Sequence, residues 1–173
     1  VPSAPVLSPA DGLRSLRVQP GFRVELIAAE PLVVDPVCIA FDELGRIWAV
    51  EMRGFMPNVD GKGELAANGR VVILTDTDGD GRMDTSDVFL DGLVLPRLVA
   101  IVNQGVLVLA PPNLYLCKDL DGDGRCDEKT LIRGGFAGRN SPEHAPNGAL
   151  LGMDNWLQFA KFGERLRFLN GEW

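Results

Sequence analysis

Apolar residues in this chain come in short alternating runs, separated at brief intervals by Gly, Pro, Asn and Asp. Residues 22–30 (FRVELIAAE) alternate between apolar and polar, and residues 37–52 (VCIAFDELGRIWAVEM) form two apolar runs around a turn at 42–45. Such runs are typical of β-strands joined by tight turns. No stretch keeps the apolar spacing of an amphipathic helix over any length. The pattern therefore predicts an all-β fold.

The strand–turn–strand unit recurs along the chain. Residues 97–110 (RLVAIVNQGVLVLA) and 148–160 (GALLGMDNWLQFA) repeat it, and the first two hairpins are each followed by a third strand, an acidic loop and a fourth strand. A four-stranded antiparallel unit of this length is typical of a β-propeller blade. We therefore predict an incomplete β-propeller of two to three four-stranded antiparallel blades, with calcium loops between strands. A small β-sandwich is the alternative that the pattern leaves open.

The repeat sets the predicted boundaries. Residues 1–21 are Pro-rich and predict an extended N-terminal segment, followed by a partial propeller over 22–173. The predicted blades lie at about 37–95, 97–135 and 147–173. Propellers close with about 4–8 blades. We therefore expect the remainder of the propeller, or partner chains, to cover the open faces.

Two acidic loops carry the clearest chemistry. Residues 74–87 (LTDTDGDGRMDTSD) and 117–130 (CKDLDGDGRCDEKT) both contain D-x-D-G-D-G-R-x-D, 43 residues apart (119 − 76). Calcium takes about 6–8 oxygen ligands, and alternating acids in a tight loop converge their carboxylates on one point. The spacing predicts two calcium sites. The predicted ligands are Asp76, Asp78, Asp80, the Arg82 carbonyl, Asp84 and Asp87, and Asp119, Asp121, Asp123, the Arg125 carbonyl, Asp127 and Glu128.

The second loop departs from the pattern at its twelfth position. Thr130 stands where a carboxylate is expected, so Glu128 or water would replace it and binding would be weaker there. Since both loops lie between predicted strands, we expect the ions to stabilise hairpins rather than to switch a helical sensor. The alternative is a solvated turn in which the Asp side chains accept hydrogen bonds from backbone amides.

Charge limits the possible partners. The net charge is −7, and 10 of the 24 acids lie in the two loops, leaving 14 acids against 17 bases. The acidity is therefore local, and it gives no indication of nucleic-acid binding. No apolar run approaches the ~20 residues of a membrane-spanning helix.

Three cysteines contain no C-x-x-C-H, so the chain has no covalent haem site of its own. Cys117 and Cys126 bracket the second loop, where a hairpin would bring them face to face. Whether they form a disulfide depends on geometry and stays open here. Cys38 is expected to be a buried apolar residue.

Several segments together resemble one family. They are GFRVELIAAEPLVVDPVCIAFDELGRIWAVEMRG, LTDTDGDGRMDTSDVFLDGLVLPR, APPNLYLCKDLDGDGRCDE and SPEHAPNGALLGMDNW. Over residues 20–156 the chain is similar to the N-terminal propeller of secreted bacterial membrane-bound dehydrogenase-like proteins. These are related to glucose/sorbosone dehydrogenases and are often fused to a c-type haem domain.

The resemblance implies a function and a location. By likeness, His144 would be the general base of a sugar or alcohol dehydrogenase that uses pyrroloquinoline quinone, with Asn147 and Gly148 following. Here Ala145 and Pro146 intervene, which departs from the family motif. A quinone or haem c would be held only with residues or chains outside this one. We expect a periplasmic or extracellular protein. The alternative is a non-catalytic, calcium-stabilised module that packs against partner chains in an extracellular or electron-transfer assembly.

Overall fold

The computed structural model describes residues 5–135, 144–160 and 163–173, and it confirms the all-β prediction. Eleven strands and one short helix, α1 (Pro9–Ser15), are present in these ranges. The strands are Pro36–Phe41 (β1), Ile47–Glu51 (β2), Gly69–Thr75 (β3), Thr85–Leu93 (β4), Leu98–Val102 (β5), Gly105–Ala110 (β6), Asn113–Lys118 (β7), Glu128–Arg133 (β8), Asn147–Leu151 (β9), Leu157–Ala160 (β10) and Arg165–Leu166 (β11).

The strands form three antiparallel sheets in which chain neighbours pair. Sheet 1 has the order β1-β2-β3-β4, sheet 2 the order β5-β6-β7-β8, and sheet 3 the order β11-β10-β9. The first strands of consecutive sheets are neighbours, β5 lying beside both β1 and β9. Within the described residues the sheets do not close into a barrel.

The sheets stack face to face, and the side-chain alternation of each central strand supplies two cores. In β6, Val106 and Val108 pack toward sheet 1, whereas Leu107 and Leu109 pack toward sheet 3. Because successive side chains of a strand point to opposite faces, a strand between two sheets is apolar at every position. This explains the uninterrupted apolar run of β6.

The outer face of sheet 1 carries a third, smaller core. Ile47, Ala49, Val72 and Leu74 on this face are covered by Val33 and its neighbours from the segment before β1. The segment crosses the sheet without pairing to it as a strand. The chain therefore has the layer order segment, sheet 1, sheet 2 and sheet 3.

The N-terminal segment differs from its predicted extended form. Residues 9–15 form α1, since Ser8 caps the helix by accepting a hydrogen bond from the Asp11 N–H, and Pro9 suits the first turn. A helix this short has no repeating apolar positions, so the hydrophobic pattern does not predict it. Within the part of the chain described, no helix is long and apolar enough to span a membrane.

Two other strand predictions differ from the structure. Residues 22–29 have the expected alternation but pair with no strand among the described residues, and the third predicted blade, over 147–173, has only a two-residue third strand, Arg165–Leu166. The polar stretch 53–68 is irregular and connects β2 to β3. Alternating apolar and polar residues indicate a preference for extended backbone. A β-strand also needs a neighbouring strand to which it can hydrogen-bond.

Candidate metal centres

The first acidic loop connects β3 to β4 and is closed by backbone bonds. The Asp84 N–H donates to the Thr75 carbonyl at 2.8 Å, which fixes the two ends of the loop side by side. Gly79 and Gly81 adopt φ values of 78° and 87°, in the left-handed region where glycine carries little strain. The D-G-D-G spacing therefore turns the chain tightly enough to bring its acids together.

The carboxylates of this loop accept hydrogen bonds from the loop's own backbone. Asp76 accepts the Gly79 N–H at 2.7 Å and the Gly81 N–H at 2.8 Å. Asp84 accepts both the N–H and the hydroxyl of Thr77 at 2.7 Å. These bonds, the Thr77 hydroxyl first, hold the pKa of Asp84 below its usual range. Backbone and side-chain donors of the loop itself therefore hold Asp76 and Asp84 in place.

The second loop, between β7 and β8, repeats this framework. Asp119 accepts the Gly122 N–H at 2.7 Å and the Gly124 N–H at 2.9 Å, and Asp127 accepts the Leu120 N–H at 2.7 Å. Its ends are closed by the Asp127 N–H, which donates to the Lys118 carbonyl at 2.9 Å. The same residue types at the same spacing therefore give the same loop in two successive sheets.

Each loop gathers three carboxylates. One oxygen from each of Asp76, Asp78 and Asp84 lies within 4.8 Å of the others, and Asp119, Asp121 and Asp127 do the same in the second loop. These are positions 1, 3 and 9 of the predicted ligand pattern. Like charges at this distance repel, and a divalent cation among them would reverse the sign of the interaction.

The other predicted ligands lie outside these groups of three. Asp80 and Asp123 accept the backbone N–H of Arg82 and Arg125, each at 2.8 Å. Asp87 is part of β4, opposite Ile73. Coordination by these acids and by the Arg82 and Arg125 carbonyls stays a prediction.

Glu128, the candidate substitute in the second loop, is engaged by neighbouring side chains. Its carboxylate accepts hydrogen bonds from Lys118 Nζ at 3.1 Å and Thr130 Oγ1 at 3.0 Å. The hydrogen bond from Lys118 is the main cause that lowers the pKa of Glu128. Both bonds are to Oε1, and coordination of an ion by Glu128 stays a prediction.

The candidate base His144 lies apart from the acidic loops in the topology. It is exposed and comes just before β9, followed by the buried residues Ala145 and Pro146. It therefore stands at the end of sheet 3 that is opposite the β9–β10 turn. Each acidic loop lies instead at the end of its sheet that holds the turn between the first two strands. Residues 141–143 of the motif that carries His144 lie outside the described residues.

The two cysteines that bracket the second loop are free thiols in this structure. They pack in the core between sheets 1 and 2, where the Cys126 thiol donates to the Glu128 carbonyl at 3.4 Å. Burial, followed by the adjacent Cys126, raises the pKa of Cys117. The disulfide that the sequence left open is therefore not formed here, although the two side chains are neighbours.

Sequence reasoning missed a buried acid in the β1–β2 turn. Asp42 accepts hydrogen bonds from Arg46 Nε at 2.6 Å and Trp48 Nε1 at 2.9 Å, and from the backbone of Leu44 and Arg46, each at 3.0 Å. Burial alone would raise its pKa, but the bonds from Trp48 and Arg46 together lower it. An Asp at the start of a four-residue turn ending in Gly is the signal that would have indicated it.

A second missed acid, Glu51, is almost fully buried, with 1% of its surface exposed. It accepts the Val34 N–H at 2.8 Å and Arg53 Nε at 2.7 Å. It thereby ties the segment before β1 to the end of β2. No local sequence pattern marks it, because its partner Val34 lies 17 residues away.

Fold and site together define a class: an all-β protein of stacked antiparallel sheets. Acidic loops of the same geometry follow the third strand of sheet 1 and the third strand of sheet 2. More particularly, the chain belongs to the family described as "Domain of unknown function (DUF7133)", whose model matches residues 8–168. No curated protein matches the sequence.

Proposed function

We propose that this chain is a calcium-binding β-propeller segment of a secreted quinoprotein-type sugar or alcohol dehydrogenase. The observation that carries the proposal is the pair of acidic loops, which have one hydrogen-bond framework at the same place in successive sheets. The face-to-face stacking of sheets through their first strands supports the propeller architecture.

The proposed ions are structural. Each would bind three carboxylates between two antiparallel strands, so it would hold the hairpin ends together and cancel part of the local charge. Two divalent ions would change the net charge from −7 to −3 (−7 + 4). Loops this open suit the high calcium concentrations outside the cytoplasm, which agrees with a periplasmic or extracellular location.

In the proposed enzyme, His144 would accept the proton of a substrate hydroxyl. A neutral imidazole suits this task near neutral pH, and the exposed position of His144 leaves it accessible. The two residues that follow it, Ala145 and Pro146, are buried and have no ligating side chains. Residues or chains outside these, a c-type haem domain among them, would hold the redox group, and we derive no step through it.

A second candidate function is a non-catalytic module that packs against other chains. It is favoured by the apolar side chains that β1 exposes on the outer face of sheet 1: Ile39 is 54% exposed and Phe41 64%. A row of exposed apolar residues on a sheet is typical of a surface that another protein covers. In this alternative the calcium loops keep their structural role and His144 has none in catalysis.

Removal of calcium tests the part that both functions share. A ligand present at 100 times its Kd stabilises by about 2.7 kcal/mol, and 1 kcal/mol shifts the melting temperature of a protein this size by about 2–4 °C. We therefore expect a chelator to lower the melting temperature by about 5–10 °C for a site occupied at that level.

Matched variants identify the site. Asp78→Asn and Asp121→Asn together keep hydrogen-bonding oxygens but remove two charges, so the chelator effect should vanish. Asp60→Asn, in the exposed 53–68 stretch, is the control and should keep the full effect. Equal melting temperatures with calcium and with chelator in the unmodified protein would count against both candidate functions.

Oxidation assays separate the two functions. In dye-linked assays of the protein with its redox group, His144→Ala should reduce sugar or alcohol oxidation by about 100-fold or more, as expected for loss of a general base. Unchanged activity would remove His144 from the mechanism. If the protein oxidises no substrate with its redox group supplied, the non-catalytic module is favoured.

A further inference from the structure

Two charged residues are buried in the part of the chain that the structure describes, Glu51 and Arg97. The charge of Glu51 is compensated within the chain, because Glu51 accepts the Val34 N–H and Arg53 Nε. The guanidinium of Arg97 donates to none of the described residues, and its Nε is enclosed without a hydrogen-bond partner. A buried charge is normally paired, since a partner offsets the cost of removing it from water. Arg97 therefore lacks the partner that its burial calls for.

The backbone holds Arg97 in a fixed position. Its N–H donates to the Leu109 carbonyl at 2.8 Å, and the preceding residue, Pro96, is fully buried and packs on Gly69. Only 8% of the surface of Arg97 is exposed, so the aliphatic part of the side chain lies in the interior. Nε is its one nitrogen that is both enclosed and unpaired, so the terminal nitrogens reach solvent. A cation held in this way is preorganised for a ligand.

Glu64 attracts Arg97 without pairing with it. Burial lowers the pKa of Arg97, and the attraction to Glu64 raises it by less. Glu64 Oε1 instead accepts the Met56 N–H at 3.2 Å. Because a guanidinium stays protonated at neutral pH, Arg97 keeps a positive charge that its surroundings compensate only in part.

Arg97 lies at the same end of the stack as His144. Arg97 immediately precedes β5, His144 comes just before β9, and β5 lies beside β9. The two strands run in the same direction, since one cavity is lined both by Val102 at the end of β5 and by Leu151 at the end of β9. The starts of β5 and β9 therefore share the opposite end, where the proposed general base stands.

We propose that Arg97 binds the carboxylate of an acidic substrate, so that the proposed dehydrogenase acts on a sugar acid such as a uronate. The planar guanidinium matches a carboxylate with two parallel hydrogen bonds. The bound carboxylate would supply the partner that Arg97 lacks, with the reacting hydroxyl toward His144. The role of the substrate rests on the proposed function, whereas the binding of the carboxylate depends neither on calcium nor on the redox group.

Calorimetry with glucuronate and glucose tests the binding, because the two sugars differ by a carboxylate in place of a hydroxymethyl group. The unmodified protein should bind glucuronate at least about tenfold more tightly than glucose. Arg97→Met should remove the difference, and Arg97→Lys should keep part of it, since lysine retains the charge but loses the planar group. Arg23→Met, the same change of charge at an exposed position, is the control and should keep the full difference.

Two results of this titration would overturn the proposal. One is glucuronate binding that is no tighter than glucose binding in the unmodified protein. The other is an undiminished preference for glucuronate in Arg97→Met.

Melting temperatures separate a binding role from a structural one. Methionine keeps much of the apolar part of the side chain and removes an unpaired buried charge, so Arg97→Met without ligand should melt at the same or a higher temperature. Glucuronate should then raise the melting temperature of the unmodified protein but not that of Arg97→Met. If Arg97 served a structural ion pair with Glu64, Arg97→Met and Glu64→Gln would each lower the melting temperature, and the double variant would lower it no further. That result would overturn the proposal.

The same ligands distinguish this proposal from the proposed function. His144→Ala should lose oxidation but keep the preference for glucuronate. Glucuronate binding through Arg97 with no oxidation in the presence of the redox group would support the binding site and reject only the proposed function. Binding of pyrroloquinoline quinone that weakens in Arg97→Met, with glucuronate binding unchanged, would assign the carboxylate to the cofactor and overturn the substrate proposal.

Discussion

At the scale of single residues, aspartate side chains accept the backbone amides of several tight turns. Asp76 and Asp119 each collect two backbone amides of their own loop, and Asp42 collects four donors in the β1–β2 turn. In each case a short side chain satisfies amides that a tight turn leaves unpaired. The side chain of Asp42 is only 4% exposed among its partners.

The burial of Asp42 gives a prediction about stability. Asp42→Ala should lower the free energy of unfolding by about 1–3 kcal/mol, because Trp48 Nε1 and the turn amides lose their acceptor. Glu43→Ala, the exposed neighbour, should change it by less than about 0.5 kcal/mol. Chemical denaturation of the three proteins at pH 7 measures both differences.

The same residue makes stability depend on pH. The pKa of Asp42 is lowered in the folded state, so its contribution is present above the unfolded pKa of about 3.9 and is lost as the pH falls through the folded pKa. The gap between unmodified protein and Asp42→Ala should therefore narrow below about pH 4. A gap that stays constant down to pH 2 would show that the charge of Asp42 does not matter.

At the scale of elements, hairpins are fixed by close contacts between strand ends. Gly69 begins β3 where Pro96 crosses it: a Cβ atom at Gly69 would lie 2.4 Å from Pro96 Cδ and 2.9 Å from the Leu93 carbonyl. The connection between sheets 1 and 2 therefore packs on a position that admits only hydrogen.

Gly69→Ala should consequently destabilise the protein by about 1–3 kcal/mol, the usual cost of overpacking. Gly12→Ala in α1 is the matched control, because no atom lies within 4 Å of a Cβ there. It should leave stability unchanged or raise it by about 0.5–1 kcal/mol through helix propensity. Thermal melts compare the pair, and equal melting temperatures would contradict the close contact.

Much of the order of strands was predictable, because a hairpin is specified by residues that are close together in the sequence. The turns at Asp42–Gly45 and Asn103–Gly105, and both acidic loops, carry their own Gly and Asp signals, so β1–β10 follow from alternation and turn residues. The anchoring of Ile27 by Met83, and of Val34 by Glu51, joins residues far apart in sequence. The local sequence does not indicate hydrogen bonds between residues that are far apart in the chain. The sequence therefore did not predict that residues 22–29 pair with no strand.

The candidate site was predictable in part for the same reason. Positions 1, 3 and 9 of each loop converge as the spacing predicted. Asp87 became a strand residue and Glu128 bound Lys118, because strand pairing and an adjacent cation competed for them. The spacing of the acids alone does not show whether a carboxylate binds an ion, joins a strand or pairs with a neighbouring cation.

At the scale of the whole molecule, the described residues form three stacked sheets. The segment before β1 covers the outer face of sheet 1, and sheet 3 lies at the other side of the stack. Between them, the acidic loops lie at the edges where each third strand turns into the next. We infer that ions in these loops hold the outer strands on the stack.

Calorimetric titration of the metal-free protein with calcium tests this claim most directly. We expect two ions per chain at neutral pH, and one ion per chain in each of Asp78→Asn and Asp121→Asn. The remaining ion in Asp78→Asn should bind more weakly than the one in Asp121→Asn, because the second loop has Thr130 at its twelfth position. Absence of heat or saturation at millimolar calcium in the unmodified protein would contradict the account.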